Sequence, residues 1–238
     1  MRSFDLTAFA YAHRGLWSKA VPENSLNAFR SAAVAGVGSE LDVRMTKDGE
    51  LIVFHDATLE RMCGLSARIS EINFVELRGA RLPDGSKIPT IREALEAMNG
   101  LPTLIEIKID APNRKIVPVL IEYMQRVEAP ATVMSFDEWT VWRLAMLLPG
   151  FPIGQLIEPI EEIGADGVAA KADRARQGGC AYIAPHHTSL AIVRETELGE
   201  EFPLVTWTVR TQDQLRLAIR HSAAPIFEGL APTLAKPS

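Results

Sequence analysis

Residues 40–55 read ELDVRMTKDGELIVFH, which is two β-like runs joined by Asp48-Gly49. An Asp-Gly pair between alternating runs predicts a β-hairpin with a two-residue turn. Counting outward from this turn places Asp42 opposite His55. Because side chains alternate along a strand and cross-strand neighbours share a face, Glu40, Asp42 and His55 are expected on one face of the hairpin. The second run therefore returns antiparallel to the first.

Short β-like runs alternate with helix-period segments along the whole chain, which is the rhythm of βα units. Strands are predicted at Phe9–His13, Glu40–Thr46, Leu51–His55, Thr103–Lys108, Thr132–Phe136, Ile153–Ile157, Ala181–Pro185, Leu204–Val209 and Pro225–Glu228. Helices are predicted to begin near Ser25, Thr90, Asn113, Asp137, Ser189 and Thr211, and residues 159–179 are also predicted to be helical.

Without the return strand at Leu51–His55, eight strands remain in this prediction. The fold expected is therefore an α/β fold, a (β/α)8 TIM barrel. No linker or repeat divides the chain, so residues 1–238 are expected to form a single domain. Residues 57–89 are expected to be a small insertion that follows the hairpin.

The composition is that of an ordinary globular protein, with 238 residues, 47% of them hydrophobic and 23% charged, and a net charge of −5. No basic run is present, so nucleic acid is not an expected partner. The N-terminus does not resemble a signal peptide and no apolar run reaches membrane-spanning length, so a cytoplasmic protein without a membrane span is expected. The two cysteines, Cys63 and Cys180, indicate neither a disulfide framework nor a zinc site.

Chemically active side chains gather at the predicted C-terminal strand ends, where TIM barrels carry their active sites. These residues are His13, Arg14, Glu40, Asp42, His55, Glu106, Lys108 and Trp207. Three carboxylates with no cysteine among them suit a hard divalent cation such as Mg²⁺ or Ca²⁺ better than zinc. The sequence therefore predicts a site for one divalent cation, formed by Glu40, Asp42 and Glu106.

The remaining residues at these strand ends fit the chemistry of a phosphodiester. Arg14, Lys108 and the cation would together neutralise a phosphate. His13 and His55 would divide the proton transfers: one would accept a proton from the attacking hydroxyl or water, and the other would protonate the departing alkoxide. The pattern indicates a phosphodiester hydrolase.

Some of these residues also have simpler interpretations. Glu106 and Lys108 are two positions apart and could form an ion pair with each other. Trp207 fits core packing as well as it fits a floor beneath the glycerol or alcohol part of a substrate. His186 and His187 follow a predicted strand, where neighbouring residues point to opposite faces, so at most one faces inward. Surface or capping roles are favoured for both.

Six motifs resemble those of the glycerophosphodiester phosphodiesterase family. They are HRG (13–15), PENSLNAF (22–29), ELDVRMTKDGELIVFHDATLER (40–61), IPTIREAL (88–95), EIK (106–108) and WTV (207–209). The resemblance implies a TIM barrel with a small insertion after the HD motif. It also implies hydrolysis of a small-molecule glycerophosphodiester to glycerol 3-phosphate and an alcohol, with a divalent metal.

The same resemblance assigns roles to residues of this chain. It implies that His13 and His55 form the acid/base pair and that Arg14 contacts the phosphate, with Lys108 close to it. It implies that the metal ligands are Glu40, Asp42 and Glu106. Glu23 and Asn24 would support the site from behind.

The C-terminal part departs from the family pattern. Arg210 follows WTV where asparagine is usual, and the last strand reads APIFEGLAPT (224–233). Arg210 adds a positive charge near the rim and leaves the headgroup preference open. Two alternatives remain at this point: a phospholipase-like cyclising phosphodiesterase on the same barrel, and a non-catalytic protein that binds a phosphate ligand. The sequence specifies no oligomeric state.

Overall fold

The computed structural model describes residues 4–109, 114–196 and 202–235. Its strands are β1 Tyr11–Ala12, β2 Gly38–Met45, β3 Leu51–Val53, β4 Thr103–Ile107, β5 Ala131–Ser135, β6 Ile153–Ile157, β7 Tyr182–Pro185, β8 Leu204–Val209 and β9 Ala223–Phe227. Its α-helices are α1 Leu26–Ala35, α2 Glu60–Cys63, α3 Phe74–Leu77, α4 Ile91–Ala97, α5 Ile116–Met124, α6 Glu138–Leu147, α7 Ile160–Gln177, α8 Leu190–Glu195, α9 Gln212–Arg220 and α10 Pro232–Ala235. None of the helices in the described ranges has the length and apolar character that a membrane crossing requires.

Eight of the strands form a closed parallel barrel. β1 pairs with β2 on one side and with β9 on the other, and the order of the remaining strands follows the chain from β2 through β4 to β9. β3 pairs antiparallel with β2, outside this ring. The predicted (β/α)8 TIM barrel and its antiparallel return strand are confirmed.

Side-chain alternation along the strands produces two apolar layers. Ile105 belongs to the layer between the strands and the helices, whereas Leu104 and Tyr182 belong to the cluster inside the barrel. A Cβ atom on Gly154 would lie 2.2 Å from the Tyr182 ring, so only glycine leaves room for that ring. Because the interior is filled by such side chains, the space for a ligand lies at the mouth of the barrel.

The predicted helix starts at Ser25, Asp137 and Thr211 are N-caps. Each side chain accepts a hydrogen bond from the backbone N–H three residues later, which satisfies one of the free donors of the first helical turn. The helix predicted over residues 159–179 is observed as α7, but it is broken at Gly164, whose φ of 71° and ψ of 167° are not helical. The predicted start near Asn113 lies outside the described residues, and α5 is described from Ile116.

The turn of the hairpin is one residue longer than predicted. The backbone N–H of Thr46 donates to the carbonyl of Glu50 at 3.0 Å, which leaves residues 47–49 as a three-residue loop. Gly49 has a φ of 94°, the left-handed conformation that favours glycine at the last position of such a loop. The predicted two-residue turn at Asp48-Gly49 is therefore wrong.

The longer turn changes the residue that lies opposite Asp42. Phe54 now faces it, and the Phe54 N–H donates to the Asp42 carbonyl at 2.9 Å. The predicted pairing of Asp42 with His55 is wrong because turn length sets the register of a hairpin. His55 still reaches the barrel mouth, since β3 ends at Val53 and the chain leaves the ladder before His55.

Residues 57–89 contain the short helices α2 and α3 and have an apolar cluster of their own. Leu59, Ile69 and Leu77 are buried there against Ile52 and Phe54 of the hairpin. The segment therefore packs on the hairpin, next to the barrel mouth.

Candidate active site

A cleft of about 490 Å³ opens at the C-terminal ends of the barrel strands. It is lined by seven of the predicted site residues, His13, Arg14, Glu40, His55, Glu106, Lys108 and Trp207. Asp42 is only 1% exposed and contacts Arg14 and Lys108. Glu23 and Asn24 also contact Arg14, outside the cleft lining. The structure thus brings together the ten residues predicted to form or support the site.

The chain turns sharply after β1, which explains the sequence His-Arg-Gly. Arg14 and Gly15 have positive φ values of 58° and 83°. A Cβ on Gly15 would lie 2.7 Å from the Cβ of Ala28, so glycine allows α1 to pack directly against the turn. The backbone N–H of Arg14 donates to Glu40 Oε2 at 3.1 Å. This turn holds His13 and Arg14 at the barrel mouth.

The three acidic residues form a compact cluster. Asp42 and Glu106 are direct neighbours on β2 and β4, and one oxygen from each of Glu40, Asp42 and Glu106 lies within 4.8 Å of the other two. Burial, together with the neighbouring carboxylates, raises the pKa of Glu40 and of Glu106. For Asp42 burial acts in the same direction, but Lys108 and Arg14 outweigh it and hold its pKa below the usual range.

One oxygen of this cluster tests whether a cation fits. Glu40 Oε1 is buried and accepts no hydrogen bond from any described residue. A buried carboxylate oxygen without a partner is costly, and oxygen donors at this spacing are the ligands that hard divalent cations prefer. The three carboxylates therefore fit a divalent cation.

Two basic side chains lie against the carboxylates. Lys108 Nζ is 2.5 Å from Glu106 Oε1 and 3.0 Å from Asp42 Oδ1, although the latter contact lacks the geometry of a hydrogen bond. Arg14 Nε lies 3.3 Å from Asp42 Oδ2. Burial alone would lower the pKa of Lys108 and of Arg14, but the carboxylates raise both. The ion pair between Glu106 and Lys108 exists, and it lies inside the cleft.

Asn24 and Glu23 bind Asp42 and Arg14 from outside the cleft lining. The Asn24 side-chain amide donates to Asp42 Oδ2 at 2.8 Å, and its backbone N–H donates to the Arg14 carbonyl at 2.9 Å. Glu23 Oε1 accepts a hydrogen bond from Arg14 Nη1 at 2.8 Å. Both residues thus contact the groups around the carboxylate cluster.

His13 is held by the end of the last barrel strand. Its Nδ1 lies 2.7 Å from Glu228 Oε2, and Glu228 in turn accepts hydrogen bonds from Arg210 Nη2 at 3.1 Å and Nε at 3.3 Å. The hydrogen bond from His13 is the main cause that lowers the pKa of Glu228 to about 2. An ionised carboxylate can only accept, so His13 carries its proton on Nδ1 and turns Nε2 toward Glu40, 4.0 Å away.

His55 has the same kind of partner. Its Nδ1 lies 2.7 Å from Asp56 Oδ1, and Arg61 donates to both oxygens of Asp56 at 2.6 and 3.1 Å. Burial raises the pKa of Asp56, but the bonds from Arg61 and His55 outweigh it and bring the pKa to about 2. Burial lowers the pKa of His55. His13 and His55 are therefore each held by a carboxylate that an arginine binds in turn.

Aromatic rings form part of the cleft wall. The Trp207 ring meets Phe136 edge-on at 5.4 Å and His186 at 4.9 Å, and its Nε1 donates to the Ala184 carbonyl. His186 lines the cleft, whereas His187 bonds to Gln214. Burial lowers the pKa of His186 to about 4, so it is neutral at neutral pH. Trp207 thus packs on its neighbours and also faces the cleft.

Glu228, Asp56 and Arg61 are functional candidates that the sequence reasoning missed. Glu228 closes the last predicted strand, and Asp56 directly follows His55, so the position of each at a strand end was a usable signal. Arg61 carries no such signal, since it lies in the segment after the hairpin. Arg210 was noticed as a departure, and the structure pairs it with Glu228.

Comparisons with known proteins show what the chain resembles. A relative described as a glycerophosphodiester phosphodiesterase, from Caldanaerobacter subterraneus subsp. tengcongensis, is 31% identical over 62% of this chain and 65% of its own length. The chain thus spans just under two thirds of that relative.

Solved structures share the fold. A glycerophosphodiester phosphodiesterase from Thermotoga maritima is 27% identical, with a TM-score of 0.76 over 92% of this chain and 94% of that one. A phosphodiesterase from Oleispira antarctica, solved in complex with the product sn-glycerol-3-phosphate, is 21% identical, with a TM-score of 0.79 over 92% of each chain. The model of the glycerophosphoryl diester phosphodiesterase family matches residues 13–228. Since this match covers most of the sequence, the chain belongs to the glycerophosphoryl diester phosphodiesterase family.

Proposed function

We propose that this protein hydrolyses glycerophosphodiesters to glycerol 3-phosphate and an alcohol. One observation carries the proposal: a single cleft joins a three-carboxylate cluster, two basic side chains and two histidines that each have a carboxylate at Nδ1. A protein that only binds phosphate has no need of two histidines backed in this way. Membership of the family supports the same reaction.

The phosphate group of the substrate is proposed to lie against Arg14 and Lys108. Both side chains line the cleft and stay protonated beside their carboxylate partners. We propose that Glu40, Asp42 and Glu106 hold one divalent cation, Mg²⁺ or Ca²⁺. When bound, such a cation offsets the charge of the carboxylates and polarises a phosphoryl oxygen.

The two histidines are proposed to move the protons of the reaction. As a water molecule attacks phosphorus, one imidazole accepts its proton at Nε2. The bond from phosphorus to the alcohol oxygen breaks, and the other imidazole, which enters this step as an imidazolium, donates its Nε2 proton to that oxygen. Glu228 and Asp56 keep the Nδ1 atoms of His13 and His55 occupied, which leaves Nε2 of each ring for this exchange.

The glycerol or alcohol part of the substrate is proposed to pack on the aromatic rings around Trp207.

We also propose that the chain forms one domain, with residues 57–89 as an insertion, since the apolar cluster of that segment is built on the hairpin. The free thiols Cys63 and Cys180 are typical of a reducing compartment and support the cytoplasm as the place of the reaction, which cell fractionation would test.

The decisive experiment measures release of glycerol 3-phosphate from glycerophosphocholine and glycerophosphoethanolamine. The assay is run with and without EDTA, followed by addition of Mg²⁺ or Ca²⁺, and the product is identified by mass spectrometry. Linear glycerol 3-phosphate, lost on chelation and restored by one of the metals, supports the proposal. A cyclic phosphodiester product would instead identify a cyclising enzyme, and binding of either diester without turnover would identify a phosphate-ligand binding protein.

A further inference from the structure

Arg61 connects two carboxylates of the site, Asp56 and Glu23. Its Nε and Nη2 donate to the two oxygens of Asp56 at 2.6 and 3.1 Å. The same guanidinium donates from Nη2 to Glu23 Oε1 at 2.7 Å and from Nη1 to Glu23 Oε2 at 3.3 Å. One arginine thus binds both the carboxylate that holds His55 and the carboxylate that holds Arg14.

The local structure explains how a residue of the segment after the hairpin reaches the site. Arg61 lies in the one-turn helix α2, and this helix begins directly after the buried Leu59. The Leu59 N–H donates to the Ala67 carbonyl at 2.9 Å, and Leu59 packs with Ile69 in the cluster on the hairpin. These contacts fix the base of the Arg61 side chain, so its guanidinium spans Asp56 and Glu23.

From these contacts we propose that Arg61 is a positioning residue for the reaction, which rests on the function proposed above. It fixes the plane of the Asp56 carboxylate, and the fixed carboxylate keeps the proton of neutral His55 on Nδ1 and its Nε2 free. Through Glu23 it also restrains the guanidinium of Arg14. The segment 57–89 thereby contributes to the site through Arg61.

The planar fork of arginine is essential to this role. Four hydrogen bonds to two carboxylates require several N–H groups in fixed directions. A lysine would keep the positive charge but could not bind both carboxylates in this manner. Arg61→Lys therefore separates the effect of charge from the effect of geometry.

Arg68 provides a matched control within the same segment. Its side chain is 48% exposed, as is that of Arg61, and its ion-pair partner is Glu71 at 3.9 Å, which is 73% exposed. An arginine that only contributes to surface solvation should behave like Arg68. The comparison of Arg61→Met with Arg68→Met therefore isolates the contacts to Asp56 and Glu23.

The test combines kinetics with nitrogen NMR of the imidazole rings at about pH 8, where an ordinary histidine is neutral. We expect Arg61→Met to lower kcat by about 10- to 100-fold, the range for loss of a partner that orients a functional side chain. Arg61→Lys should recover only a minor part of this loss. In ¹⁵N-histidine spectra, His55, assigned with a His55→Gln variant, should change from the Nδ1–H tautomer toward the Nε2–H tautomer in Arg61→Met but not in Arg68→Met.

The readouts separate failure of this proposal from failure of the proposed function. Wild-type kcat and an unchanged His55 tautomer in Arg61→Met would overturn the positioning role, and so would full recovery by lysine. If Arg61→Met is too unstable to study, Arg61→Lys must show the tautomer change, and a normal spectrum there also overturns the proposal. Absence of turnover in the wild-type protein would refute the proposed function, while the tautomer comparison would still decide the role of Arg61.

Discussion

The Nδ1 atom of His13 lies 2.7 Å from Oε2 of Glu228, a residue 215 positions away in the sequence. His13 follows the first barrel strand and Glu228 follows the last. These two strands are hydrogen-bonded neighbours because the barrel closes between them. The contact therefore depends on barrel closure.

Replacing Glu228 with glutamine should weaken the orientation of His13. The amide of Glu228→Gln is neutral, so it is a poorer partner for the Nδ1–H, and it can also turn its NH₂ toward the ring. We expect kcat for release of glycerol 3-phosphate to fall by about 10- to 100-fold, with a smaller change in KM. The exposed Glu122→Gln is the control, and equal kcat in both variants would contradict the role given to Glu228.

The Glu228 contact also predicts a difference in acid stability. Its pKa in the folded protein is about 2, below the ordinary value of 4.5. A lowered folded-state pKa means that the contribution to the free energy of unfolding is complete above about pH 4.5. This contribution is lost as the pH falls toward 2. Urea unfolding of wild type and Glu228→Gln should therefore differ most near neutral pH and converge in acid; a constant difference would count against the ion pair.

Chelation and metal addition should change the stability of the wild type, and this change should depend on Glu40. In EDTA, Glu40→Gln is expected to melt at the wild-type Tm or higher, because it removes a buried charge whose pKa is raised. Mg²⁺ or Ca²⁺ at about 100 times its Kd should stabilise the wild type by about 2.7 kcal/mol. The variant should gain much less. Equal gains in both proteins, measured by calorimetry, would argue against a cation at this cluster.

The left-handed conformation of Gly49 predicts the stability of hairpin variants. Apart from Gly49 and its two chain neighbours, no atom of the described residues lies within 4 Å of a Cβ built at this position, so any cost of Gly49→Ala comes from the backbone. We expect a loss of about 1 kcal/mol in the free energy of unfolding for alanine. Asparagine tolerates this conformation better, so Gly49→Asn should lose less. Identical values for the two variants in urea titrations would show that φ is not the cause.

Local patterns in the sequence were sufficient for the fold. Alternating apolar runs and the caps at Ser25, Asp137 and Thr211 predicted the barrel strands and several helix starts, because both signals depend on residues close together in the chain. The predicted strands Ile153–Ile157 and Leu204–Val209 agree with the observed bounds. The hairpin register failed because the Asp-Gly pair fits a loop of two or of three residues, and only the observed backbone of Gly49 distinguishes them.

For the site, the sequence by itself determined which chemical groups stand at the barrel mouth, since every strand end of a parallel barrel faces the same side. It did not determine their partners. The contacts of His13 with Glu228 and of Arg61 with both Glu23 and Asp56 were decided by the tertiary structure alone. The physical reason is that these contacts form only when β9 closes against β1 and when the segment after the hairpin packs on β3, and no local pattern records either event.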